Sequence, residues 1–167
     1  RDAMDRYGSD KPDTRFGVEL RDLSDIFAQG GESLFREMVG NGQTVRGLVA
    51  PVAYSRKILD ELDAFIKQYG GAGVAWVQVT DDEPRTLPVL RKAGPETVQR
   101  LIDETGAKTG ESIFMVAGDR TPTLERLGAL RLELARREGW IPEGQWNLVW
   151  VVDFPLFAYD ATEKRWT

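Results

Sequence analysis

Apolar residues fall along this chain in more than one rhythm, and each rhythm predicts a different element. Ile58, Leu62, Phe65, Ile66 and Tyr69 recur at helical spacing, while Arg56, Lys57, Asp60, Glu61, Asp63 and Lys67 fill the other face. That is an amphipathic helix, with Ser55 placed to cap its first turn and Gly70 to end it. A second helix opens at Gly94-Pro95, turns Val98, Leu101 and Ile102 inward and stops at Gly106; proline at the first helical position loses no hydrogen bond. A third runs from Thr121-Pro122 to about Glu138, with Leu124, Leu127, Leu130 and Leu134 on one side. Gly128 lies inside it at a cost of about 1 kcal/mol relative to Ala, so another backbone is expected to pack closely there.

Short apolar-rich runs supply the strands. Val74 to Val79 and Ile113 to Ala117 are short and bounded by turn residues, and Trp146 to Val152 is expected to be a last strand broken by Asp153-Phe154-Pro155. Val18 and Leu20 suggest a brief strand before the Leu23, Ile26, Phe27 cluster, and Leu87 to Arg91 a turn of helix. Leu34 to Val39 and Thr44 to Ala50 flank Gly40-Asn41-Gly42-Gln43. Asn-Gly supplies the positive φ angles of a tight hairpin, so the pair is read as a hairpin turning at Asn41-Gly42. The alternative is that Ser33 to Val39 winds as a helix. A hairpin followed by helix, strand, strand and helix predicts an α+β fold: an antiparallel sheet with helices on one face. A parallel α/β sheet beginning at Thr44 is the rival.

Composition narrows the chemistry. The 167 residues, five of them Trp and seven Phe, can bury one ordinary domain with flanking pieces. Twenty-two basic against 27 acidic residues leave a net charge of −5. That suits a cytoplasmic protein and argues against a broad, nonspecific nucleic-acid footprint, which needs a basic excess. Cysteine and histidine are both absent; disulfides, thiolate nucleophiles, the commonest general base and ordinary zinc sites go with them. No apolar run approaches the roughly 20 residues that span a bilayer. The chain opens on Arg1 without a signal peptide, as expected of a piece of a longer protein.

The remaining patterns show no active site. Gly70-Gly71-Ala72-Gly73 precedes a strand, whereas a phosphate cradle opens a helix, and Gly106-Ala107-Lys108-Thr109-Gly110 lacks the first glycine of a P-loop. Asp60-Glu61, Asp81-Asp82 and Asp103-Glu104 are adjacent pairs that point to different faces. The ends are more distinctive. Arg6-Tyr7-Gly8-Ser9-Asp10-Lys11-Pro12-Asp13-Thr14-Arg15 reads as a rigid turn in which Asp10 and Asp13 cap backbone donors, and Trp150 to Phe157 as a strand with a proline stop.

Arg6 to Arg15 resembles the RYGSDKPDxR segment of bacterial-type aspartyl-tRNA synthetases, and Trp150 to Phe157 their W-V-x-D-F-P-x-F strand. Ile66 to Val79, Glu111 to Ala117 and Leu127 to Leu132 resemble further family segments, in order. The resemblance implies a class II ligase that activates L-aspartate with ATP and Mg²⁺ and transfers it to tRNA. It also implies an inserted GAD domain of ββαββα order, GAD/DCoH-like, on the side approached by the tRNA acceptor arm. On that reading residues 1–16 are a remnant of the catalytic core, 17–141 the GAD insertion and 142–167 a return strand into the core.

The departures bear on activity. Motif 2 needs Phe-Arg-x-Glu, but Phe35-Arg36-Glu37 has its carboxylate one residue early and falls inside the insert. Motif 3 and the aspartate-binding loop are missing. No catalytic, cofactor-binding or metal residue is therefore assigned, and the segment alone is expected to be inactive and monomeric, within a homodimeric parent. Arg46, Arg56, Lys57, Arg91 and Lys92 are the candidate RNA contacts. A GAD module of a tRNA-dependent amidotransferase, or a free-standing RNA-contacting module, is the alternative.

Overall fold

The computed structural model describes residues 1–153, 157, 159–160 and 163–166. Along the chain these form α1 (Asp2–Tyr7), β1 (Arg21–Asp22), α2 (Ser24–Ala28), α3 (Leu34–Gly40), β2 (Thr44–Ala50), α4 (Arg56–Gln68), β3 (Ala75–Gln78), β4 (Arg85–Thr86), α5 (Pro88–Arg91), α6 (Pro95–Thr105), β5 (Ser112–Gly118), α7 (Arg120–Arg137), β6 (Tyr159–Asp160) and β7 (Arg165–Trp166). Five strands make one sheet in the order β1-β2-β5-β3-β4, and β6 pairs with β7 apart from it. Every pairing is antiparallel, which removes the parallel alternative.

Helices cover both faces of this sheet, not one as expected. Leu59, Leu62 and Ile66 of α4 and Leu124, Leu127, Leu130 and Leu134 of α7 pack on Leu48, Trp76, Phe114 and Val116. On the opposite face, residues of α2, α3, α5 and α6 pack on Val45, Val77, Ile113 and Met115. The physical reason lies in the central strands. All four residues of β3 are buried, and so are all but one of the seven in β5. Strands buried on both sides need cover on both sides. The apolar-rich runs at 74–79 and 113–117, without an apolar–polar alternation, carried that information.

The expected hairpin is absent, because Leu34–Gly40 is helical. Ser33 caps the helix by accepting from the Arg36 N–H, and Phe35 packs against Phe27 with ring centroids 4.9 Å apart. β2 already has β1 on one side and β5 on the other, so no edge remains for a strand at 34–39. Asn41-Gly42 instead closes the helix. Gly42 sits at φ +82°, its N–H donates to the Val39 carbonyl at 2.9 Å, and the Gln43 N–H donates to Met38 at 3.0 Å. These are the two bonds of a Schellman stop, which needs the same left-handed residue as a hairpin turn. A β-carbon at Gly42 would meet nothing within 4 Å. Gly42→Val is therefore expected to cost about 1 kcal/mol or more through backbone strain alone; an unchanged urea midpoint would contradict the left-handed conformation.

Two other expectations change. Val18 lies at φ +66° instead of in a strand, and the edge strand forms three residues later at Arg21–Asp22. Trp146 to Val152 forms no strand, since none of these residues pairs with a described strand. Trp146, Leu148 and Trp150 are 88%, 92% and 95% exposed. Phe154, Pro155 and Leu156, which carry the expected break, lie outside the described residues. Among those described, no helix is long and apolar enough to cross a membrane.

Candidate functional site

The most constructed polar feature of the molecule is where α7 meets the first twenty residues. Arg120, Leu124, Gly128 and Arg131 recur three and four apart, so they stack along one face of α7. The charge at the last of these positions interrupts a leucine stripe, and Arg131 is only 1% exposed. Its Nε donates to the Val18 carbonyl at 2.7 Å, and its Nη2 lies 2.9 Å from the carbonyl of Asp13 and 3.1 Å from those of Phe16 and Gly17. The guanidinium also lies over two rings, 4.0 Å from the centroid of Phe16 and 5.0 Å from that of Tyr7. Burial pushes its pKa down, opposed by the nearby Asp13, Tyr7 and Glu19; an arginine nonetheless stays protonated at neutral pH.

Higher on the same face the two backbones touch. α1 ends at Gly8, φ +67°, whose N–H donates to the Met4 carbonyl. A β-carbon on Gly128 would lie 2.5 Å from the Gly8 carbonyl oxygen and 2.9 Å from that of Tyr7. This is the close backbone approach anticipated for the glycine inside the third long helix. At the top of α7, Arg120 pairs with Asp5 of α1, and Arg46 of β2 lies 3.8 Å from the same carboxylate.

The loop between Gly8 and Leu20 is stiffened from within. Ser9 Oγ, rather than Asp10, accepts from the Lys11 N–H at 3.0 Å. Asp13 accepts from the Arg15 N–H at 3.1 Å and from the Arg15 side chain at 2.6 and 3.0 Å. Those side-chain bonds hold the Asp13 carboxyl below the usual carboxylate range. Arg6 grips Glu19 through two bonds, of 2.9 and 2.5 Å, and lowers its pKa in the same way. The C-terminal segment runs alongside: Arg15 Nη1 donates to the Gln145 carbonyl and Asn147 Nδ2 to that of Thr14, both at 3.3 Å.

The five candidate RNA contacts do not form one patch. Arg46 points into an acidic pocket, 12% exposed at its side chain and bonded to Asp22 at 2.8 Å, so it has little left to offer a phosphate. Arg56 is exposed but paired with Asp60 at 2.9 Å, and Lys57 beside it is exposed. Arg91 and Lys92 are exposed at the end of α5, whose Leu90 packs on the opposite face of the sheet from α4. Phe35-Arg36-Glu37 is an ordinary turn of α3, with Arg36 donating to the Gly30 carbonyl at 3.1 Å. Sequence reading passed over Arg131. Its signal was an arginine seven residues after Leu124 and four after Leu127, on the buried side of an apolar stripe.

A model of the GAD domain matches residues 35–127, which is more than half of the chain. The chain belongs to the GAD domain family. Its similarity to known proteins extends beyond the matched residues. It is 38% identical over 167 residues to the aspartate–tRNA(Asp/Asn) ligase of Natranaerobius thermophilus and 43% identical over 168 residues to that of Moorella thermoacetica. With the aspartate–tRNA ligase of Clostridium perfringens it shares 38% over 169 residues. Each comparison covers 99% of this chain, whereas the chain spans only 28% of the length of each relative. Within the GAD match lie most of α3, then β2, α4, β3, β4, α5, α6, β5 and the first part of α7, while Arg131 follows the match and the loop it holds precedes it.

Proposed function

We propose that this chain is the GAD-bearing segment of an aspartate–tRNA ligase, an accessory insertion with the margins of the catalytic core at both ends and no active site of its own. The observation that carries the reading is that an alignment 40% identical over its whole length covers the flanks as well as the GAD match. A GAD module of an amidotransferase, or a free-standing module, would share the domain without both flanks. The division into 1–16, 17–141 and 142–167 is supported by the hydrogen bonds that join Thr14 and Arg15 to Gln145 and Asn147. An insert must leave its host and return nearby. The exposed tryptophans at 146 and 150 fit a face that packs against missing core. Setting aside α1, the two short helices α2 and α3 between β1 and β2, the β4–α5–α6 excursion and the β6–β7 pair, the order β1, β2, α4, β3, β5, α7 supports the ββαββα, DCoH-like topology.

On this reading the parent is a cytoplasmic homodimer that joins L-aspartate to tRNA using ATP and Mg²⁺. We assign those ligands to the parts of the parent that carry motifs 2 and 3 and the aspartate-binding loop. The GAD domain faces the acceptor arm, with Lys57, Arg91 and Lys92 its freest candidate cations.

Two measurements test the reading. The complete protein is expected to catalyse aspartate-dependent ATP–pyrophosphate exchange, and the isolated segment to give none above a blank, since on this reading the groups that stabilise the charge of the adenylate transition state belong to motifs 2 and 3. Exchange by the segment, or its absence from the complete protein, would overturn the proposal. Binding of an acceptor-stem RNA by the segment is expected to be weak and to fall steeply with salt, because the net charge is −5 and few cations can meet phosphates. Sub-micromolar binding that ignores salt would contradict a purely local contact.

A further inference from the structure

We propose that Arg131 is a positioning residue: from α7, just past the GAD match, it sets the conformation of the loop at residues 8–18, and through that loop the geometry of the catalytic core that adjoins it. The inference rests on the ligase reading for the core, but the anchoring itself does not.

Three observations converge. First, a buried guanidinium is a poor core filler, since a well-packed apolar residue of similar size avoids the cost of desolvating a charge. Its use here is directional. Arg131 distributes its donors over four carbonyls belonging to Asp13, Phe16, Gly17 and Val18, all within one irregular loop. A planar fork with fixed N–H directions accepts few loop conformations. Second, the loop it holds is strained. Val18, a β-branched residue, sits at φ +66°, and its carbonyl receives the shortest of the four bonds. Such backbone persists only where its surroundings over-determine it. Third, the other contacts on this face of α7 reach the same segment, with Gly128 against Gly8 and Arg120 on Asp5. Three turns of one helix are thus committed to a single partner, and the insertion is not a loosely tethered appendage.

The test uses the complete protein at a temperature where every variant stays folded. Arg131→Met is expected to lower kcat for aspartate-dependent ATP–pyrophosphate exchange by about tenfold or more, because small displacements near a reacting centre are costly. In aminoacylation by the same variant, KM for tRNA should change by less than about twofold. Arg131→Lys keeps the charge but not the fork, so its kcat should fall between wild type and Met. In hydrogen exchange, the amides of Gly8 and of residues 15–20 should lose protection in Arg131→Met while those of β2 and β5 keep theirs. Gly128→Ala should produce the same local loss with Arg131 intact.

Unchanged protection at residues 8–20 would show that Arg131 does not order the loop. Local loss with unchanged kcat would show that the loop does not position the core. Loss spread evenly over the sheet, with no intermediate effect of lysine, would make Arg131 a stabilising residue only. A wild-type protein without exchange activity would defeat the ligase reading and the catalytic half of this proposal, and the protection data would still decide the anchor.

Discussion

Replacing Gly128 by alanine is expected to destabilise the domain by about 2 kcal/mol, although the same change in an isolated helix stabilises it. Two effects oppose each other. In a helix interior alanine is favoured over glycine by about 1 kcal/mol. Against that, the new methyl group would lie 2.5 Å from the Gly8 carbonyl oxygen and 2.9 Å from both the Gly8 carbonyl carbon and the Tyr7 oxygen. All three are backbone atoms, so no flexible side chain can swing away. Overpacking of this kind costs about 1–3 kcal/mol, and here separating α1 from α7 also strains the bonds that Arg131 makes to the loop beyond. The two costs together outweigh the gain in propensity. Urea denaturation of the variant checks the sign: a raised midpoint would mean that α1 does not sit on α7 in solution.

The largest single loss of stability is expected from Phe114→Ala, about 3–5 kcal/mol. Phe114 is fully buried in the central strand β5, opposite Leu48 in the ladder. Its ring stacks at a tilt on Tyr54, 5.7 Å away, and belongs to the core beneath α4 and α7. Removing it leaves a cavity between a sheet and two long helices, none of which can collapse without breaking other contacts. Against a typical total of about 5–15 kcal/mol, that loss brings the segment near unfolding. Trp150→Ala supplies the control. It removes a larger side chain, but one that is 95% exposed here, so the segment's midpoint should move by less than about 0.5 kcal/mol. Equal effects of the two substitutions would contradict the burial pattern.

What the sequence determined by itself was whatever a single turn or run of residues encodes. Ser55 and Gly70 bound the helix Arg56–Gln68, Pro95 and Gly106 the helix Pro95–Thr105, and the leucine stripe the helix Arg120–Arg137, because caps and helical periodicity act within about four residues. Strands β2, β3 and β5 were legible as apolar runs between turn residues, and the close approach at Gly128 as a glycine out of place. Tertiary structure decided the rest. Asn41-Gly42 offers a left-handed turn to a hairpin and to a helix stop alike, and only the occupied flanks of β2 select the helix. Trp76 and Trp150 are the same residue type in similar apolar runs, yet one is 5% exposed and the other 95%, because only one has a sheet on which to pair. Arg46 reads as a free cation until Asp22 folds against it. Arg131 reads as one charge on a helix, and its role depends on carbonyls more than a hundred residues earlier in the chain. A charge inside the leucine stripe marks the position but not its partner, since contacts at that separation arise only when packing has brought α7 and the first loop together.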